Sequence, residues 1–150
     1  MFEKNVSIII EGIAFSPNGR SLVSGSHDSS VRIWNLRDGS SKVMPATGDA
    51  KIFFSVAFSP DGRHIAAGDL DNMLWIWDAR THTLVAKWRG HTDHVNCIEF
   101  TPDGKKLMSG SDDRTIRYWD MSSLGTGSEP QRFPEIRAFS GHTVRFLCLL

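Results

Sequence analysis

The chain carries no surplus charge of either sign. Seventeen basic and seventeen acidic residues cancel over 150 positions, so nothing draws the molecule as a whole toward nucleic acid or an anionic lipid surface. No local run of like charge compensates; the densest basic pair is Lys105–Lys106. Direct nucleic-acid binding is not expected. Cysteine is nearly absent: Cys97 and Cys148 are the only two. They fall at matching places in two repeated segments, which reads as two separate parallel positions rather than a disulfide or a metal pair, and favours a reducing compartment. No apolar run approaches the roughly 20 residues of a membrane-crossing helix. The apolar "SIII" near the N-terminus lacks the basic flank and cleavage site of a secretion signal. A soluble intracellular protein is the expectation. Also missing is any helical period over eleven or more residues. Phosphate loop, metal-ligand spacing and G-x-S-x-G elbow are absent as well; no cofactor, metal or enzymatic activity is expected.

What the chain does contain is repetition. "SGSHDSSVRIWN" at 24–35 returns as "AGDLDNMLWIWD" at 67–78 and "SGSDDRTIRYWD" at 109–120. Trp34, Trp77 and Trp119 are 43 and 42 residues apart, and Pro17, Pro60 and Pro102 show the same two steps. Two anchors drifting together by one residue define a period, and a period of about 40–45 residues with four short strands per unit marks a propeller blade. Within a unit, "VNCIEF" (95–100) and "KLMSGS" (106–111) flank a "TPDG" turn, "TIRYW" (115–119) alternates and is β-branched, and a weaker outer strand follows, "TLVAKW" at 83–88 and "EIRAF" at 135–139. Asn18–Gly19, Asp61–Gly62 and Asp103–Gly104 predict two-residue hairpin turns with both central residues at positive φ. The fold class is all-β, in units of about 5–45, 46–89 and 90–140.

"GHTDHVNCIEFTPDGKKLMSGSDDRTIRYWD" (90–120) resembles a nearly complete WD repeat, and 12–35 and 52–78 resemble two more. The resemblance implies a WD40-type β-propeller in which a buried hydrogen-bond network stitches each blade. In the third unit that network would be His91, Ser109, Asp113 and Trp119. The same three residue types also compose a hydrolase triad, but their recurrence as scaffold argues for structure. The first unit keeps Ser24, Asp28 and Trp34, with Val6 at the histidine position. The second keeps Asp71 and Trp77 but has Asp49 and Ala67 where histidine and serine belong, so the Trp77 indole must find another partner. Either drift or reshaping for a ligand accounts for that loss.

The resemblance also places ligand-contacting positions at the start of each inner strand and just before each turn aspartate. These are Ile9, Glu11 and His27 in the first unit, Ile52, Phe54 and Leu70 in the second, and His94, Asn96 and Asp112 in the third. A partial fourth unit, "GHTVRFLCLL" at 141–150, adds Arg145 and Leu147. The second unit is apolar at all three positions, which suits a short apolar peptide with a few charges; Phe53 and Phe54 filling the core is the competing reading. Trp75 replaces the arginine of its sister positions, Arg32 and Arg117, either to pack between blades or to mark a lateral contact.

Closed propellers need four to eight blades, so about three blades plus one strand predict an incomplete ring. A fragment of a larger propeller is the first expectation, a ring closed by several chains the second, and open blade edges would favour self-association. The Gly-His pair at 90–91 returns at 141–142, a step of 51, because a Ser- and Gly-rich stretch, 122–131, lengthens the third unit; it reads as a flexible insertion. A unit lacking Gly-His, then two typical stretches, then this insertion is an order similar to the middle blades of the fungal Tup-type, Groucho-like transcriptional corepressors. That likeness implies a nuclear scaffold that captures short motifs of DNA-bound transcription factors. The alternatives are a WD adaptor of another complex, such as a ubiquitin-ligase substrate receptor or a trafficking subunit, and a nonfunctional truncated gene product.

Overall fold

The computed structural model describes residues 9–47, 52–124 and 135–141. They form three four-stranded antiparallel sheets in which each strand pairs with the next in the chain. The first blade is β1 (Ile10–Phe15), β2 (Ser21–Ser26), β3 (Val31–Asn35) and β4 (Ser41–Val43). The second is β5 (Phe53–Phe58), β6 (His64–Asp69), β7 (Met73–Asp78) and β8 (Leu84–Arg89). The third is β9 (Val95–Phe100), β10 (Lys106–Ser111), β11 (Thr115–Asp120) and, after a 3-10 turn at Met121–Ser123, β12 (Glu135–Ser140). Apart from that turn the described residues hold no helix. The all-β propeller architecture is present as an open arc. The insertion beyond Leu124, the fourth unit from 142 on, Val6 and Asp49 lie outside the described residues.

Alternation along the strands of the second blade explains why that blade is apolar throughout. Ile65, Ala67, Trp75 and Trp77 join Val23, Val31, Met44 and Phe53 in a core shared with the first blade. Ala66, Leu74 and Ile76 face the other way and join Trp88, Ile98, Phe100, Leu107 and Trp119. A sheet covered on both faces has no solvent side to make polar. Trp75 is therefore packing, not a lateral surface: it is buried, stacks on Trp77 at 6.0 Å and carries the Lys87 ammonium 3.9 Å over its ring. The first blade lacks such cover on one side. Ile13 and Phe15 are 47% and 64% exposed, whereas their counterparts Ile98 and Phe100 are 4% and 6% exposed.

Two expectations fail here. The turns between the first and second strands of each blade are longer than two residues, and only their glycines, Gly19, Gly62 and Gly104, take positive φ. The residue before glycine acts through its side chain instead. Asn18 Oδ1 accepts from the Arg20 N–H at 2.9 Å, and Asp61 and Asp103 accept from Arg63 and Lys105 at 3.0 Å. These are Asx turns. Second, Cys97 is disulfide-bonded; the only other cysteine, Cys148, lies outside the described residues. Matching positions are not kept apart in this fold, because inner strands converge. A Cβ on Gly12 would lie 3.1 Å from Cα of its counterpart Ser55, and the Ile98 N–H donates to Ser55 Oγ at 3.1 Å.

Candidate peptide-binding rim

Each inner strand carries one residue too many. The pairing of β1 with β2 shifts register between Ile10 and Gly12, that of β5 with β6 between Phe53 and Ser55, and that of β9 with β10 between Cys97 and Val95. The extra residues are Glu11, Phe54 and Asn96. A bulge leaves its residue outside the ladder and re-aims the side chain, here at the end of the blade where the second and third strands connect. That connection is clamped to the strand entry in every blade. The His27, Leu70 and Asp112 N–H groups donate to the carbonyls of Ile9, Ile52 and His94 at 2.9, 2.9 and 3.0 Å.

The positions singled out in the sequence thereby meet in one row across three blades. Glu11 Oε1 lies 2.6 Å from His27 Nε2. His27 meets the Phe54 ring edge-on at 6.3 Å, and Phe54 stacks against His94 at 5.8 Å. Beyond it, His94 Nδ1 is 3.7 Å from Asp112 Oδ2, and Asn96 Nδ2 donates to Asp112 Oδ1 at 2.7 Å. Phe53 is enclosed in the core while Phe54 is half-buried in the row, which separates the two phenylalanines. Ile52 and Leu70 are half-buried. Leu70 and His94 line a cavity of about 620 Å³ between the second and third blades, floored by Trp75. Arg145 and Leu147 lie outside the described residues.

Asp93, His94 and Asp112 offer donor atoms within 4.8 Å of one another. The two His94 ring nitrogens each face a carboxylate beyond hydrogen-bond length, Nε2 toward Asp93 at 3.6 Å and Nδ1 toward Asp112 at 3.7 Å.

Behind the rim, His91 Nδ1 is 2.7 Å from Asp113 Oδ2 and its Nε2 is 2.6 Å from Ser109 Oγ, which accepts from the Trp119 indole at 2.7 Å. Burial would raise the Asp113 carboxyl, but hydrogen bonds from Thr115, His91 and the Thr92 N–H prevail and hold it at about 2. The order Ser–His–Asp is that of a hydrolase triad. His91 and Ser109 are only 2% and 1% exposed, and the serine oxygen is already committed to Trp119. No substrate can reach it in this structure. In the first blade the Trp34 indole donates to Ser24 at 2.9 Å, while Asp28, exposed, caps its own turn through Ser30.

The second blade departs from what its residues suggested. Trp77 donates to the Pro45 carbonyl at 2.6 Å, and the organising carboxylate is Asp69 rather than Asp71. Asp69, where the other blades have Ser26 and Ser111, accepts from the Trp75 indole at 2.7 Å and from the N–H groups of Asp71 and Met73. Asp71 is exposed. Burial pushes the Asp69 carboxyl above the ordinary carboxylate value despite those bonds.

The family model of the WD domain, G-beta repeat, matches residues 4–35, 42–78 and 82–120. The chain belongs to the WD-repeat family. Among solved structures it is similar to that of U3-55K, with a TM-score of 0.81 and 22% identity over 95% of this chain. The crystal structure of the RRP9 WD40 repeats is similar to the same degree, with a TM-score of 0.81 and 23% identity over 95% of this chain. At that identity the likeness is one of fold. The chain spans about two fifths of either one, 42% of each. No curated protein sequence matches it.

Sequence reasoning missed three participants in these WD repeats. Asp93 was hidden inside "HTDH", read only for its histidines. Asp69 was legible as a carboxylate standing at a serine position beside an unusual Trp75. Pro45 gave no signal, because a backbone carbonyl leaves none.

Proposed function

We propose that the chain is a non-enzymatic protein-interaction scaffold that binds a short peptide motif along the rim. The observation that carries this reading is the Phe54 ring, held between His27 and His94 on a strand bulge. It presents an apolar face in a row otherwise made of Glu11, Asp93, Asp112 and Asn96. The partner motif that fits has one apolar side chain for Phe54, flanked by Lys or Arg for the carboxylates. Rigid sheets supply the positioning and the exposed ends supply recognition.

A corepressor-type role in the nucleus, with motifs of DNA-bound transcription factors as partners, rests on the order of features along the sequence alone. The adaptor alternatives would use the same rim. The test is selection of peptides from a random heptamer display library on the intact chain, followed by titration of the enriched peptides into Phe54→Ala and Asp112→Ala. Loss of at least about 2 kcal/mol of affinity on Phe54→Ala is expected for a central anchor. Equal binding by all three proteins would remove the rim as the site.

A further inference from the structure

At the opposite end of the first blade, a cavity of about 830 Å³ opens between its outer strands and the β7–β8 turn of the second blade. Arg20, Arg37 and Lys42 line it together with Asn35, Ser41 and His82, and no carboxylate is among its lining residues. The three cations come from three different segments: the β1–β2 turn, the β3–β4 turn and β4. Among the described residues none of their head groups forms an ion pair or a side-chain hydrogen bond. Asp38, next to Arg37 in the chain, spends its carboxylate elsewhere. It accepts from the Ser40 N–H and hydroxyl at 2.9 and 2.6 Å and from Asn35 Nδ2 at 3.2 Å. Asp78, in the second-blade turn, is likewise engaged by Thr81 and the Arg80 N–H.

The sister blades carry a carboxylate at a position where the first blade does not. The residue after the blade tryptophan is aspartate in the second and third blades, Asp78 and Asp120, but Asn35 in the first. The exchange keeps the turn, since Asn35 Oδ1 accepts from the Arg37 N–H at 2.9 Å as Asp78 does from Arg80. It removes the one negative charge that the repeat would put into this cavity.

We propose that this cavity binds a phosphorylated serine or threonine of a partner protein, independently of the rim. Two guanidinium groups suit the forked, charge-assisted hydrogen bonding that a phosphate invites, and the volume is that of a discrete ligand site. A nucleic acid is disfavoured: its backbone needs a continuing track of cations, and these are gathered in one cavity on a chain of zero net charge.

The test is fluorescence anisotropy with the full chain and a labelled Ala-Gly-phosphoserine-Gly-Ala peptide, its unphosphorylated twin and a ten-residue oligouridylate. The phosphopeptide should bind at least about tenfold tighter than its twin, as expected for charge-assisted contacts. Arg37→Ala and Arg20→Ala should each weaken it several-fold. Asn35→Asp, which restores the residue of the sister blades, should weaken it about as much with an unchanged circular-dichroism melt. Equal binding of the two peptides, indifference to all three substitutions, or tighter binding of oligouridylate than of the phosphopeptide would each overturn the proposal. Phe54→Ala should leave this binding unchanged, which keeps it distinct from the rim.

Discussion

The second and third blades share one backbone plan but solve the same polar problem in opposite ways. In the third blade a tryptophan indole, a serine, a histidine and an aspartate form a closed chain, and the aspartate is ionised far below its ordinary range. In the second blade that histidine and serine are gone. The tryptophan turns to a backbone carbonyl of the first blade, and a buried aspartate holds a second tryptophan and the following turn. The third-blade network ties a blade to itself, whereas in the second the Trp77 bond ties the blade to its neighbour. A repeat therefore constrains how many donors and acceptors must be satisfied, and leaves open which residues do it.

The comparison breaks most sharply at His91. His91→Ala leaves Ser109 and the buried Asp113 carboxylate short of a partner and should cost about 3 kcal/mol in urea unfolding; no single site in the second blade has that role. Next comes a matched pair of indole deletions. Trp119→Phe strips a buried serine of its donor and should cost about 2 kcal/mol, whereas Trp77→Phe frees a carbonyl at the edge of the structure and should cost about 1 kcal/mol. Equal costs would show that the two networks are energetically alike. Acid titration separates the blades by sign. Asp113 is depressed, so its contribution is present above the ordinary carboxylate value of 3.8 and is lost as pH falls from there toward about 2. Asp69 is raised, so its contribution is present below 3.8 and is lost as pH rises through its folded value. Urea midpoints measured from pH 2 to 7 should show a shallower acid limb in Asp113→Asn, the rest of that limb belonging to the other depressed aspartates such as Asp28 and Asp61, and a weaker decline with rising pH in Asp69→Asn. The smallest effect is expected at Trp88. Its ring stacks on Trp119 at 6.0 Å while its buried indole N–H has no partner among the described residues. Trp88→Phe keeps a ring in the stack and removes an unsatisfied donor, so stability should change by no more than about 1 kcal/mol in either direction.

How far the sequence reached follows from what kind of interaction each feature uses. The blades were legible because strand pattern, turn residues and period are local and repeat three times. Rim residues such as Glu11, Phe54 and Asn96 could be located through the resemblance to WD repeats, but their convergence depends on bulges that no residue type announces. The Asx turns were misread because glycine's positive φ was extended to its neighbour, whose side chain does the work. Cys97 was misread because equal positions in a linear repeat were taken to be distant, whereas the described inner strands lie against one another. Asp69 escaped because a buried carboxylate is recognised by its surroundings, and those come from Trp75 and the turn that follows it.

The bulge at the start of each inner strand separates two demands that usually compete. A side chain that belongs to the ladder must suit its cross-strand neighbours, so altering it alters the fold. Glu11, Phe54 and Asn96 stand outside that pairing, so the surface can acquire new specificity, one blade at a time, while the sheets underneath keep their register.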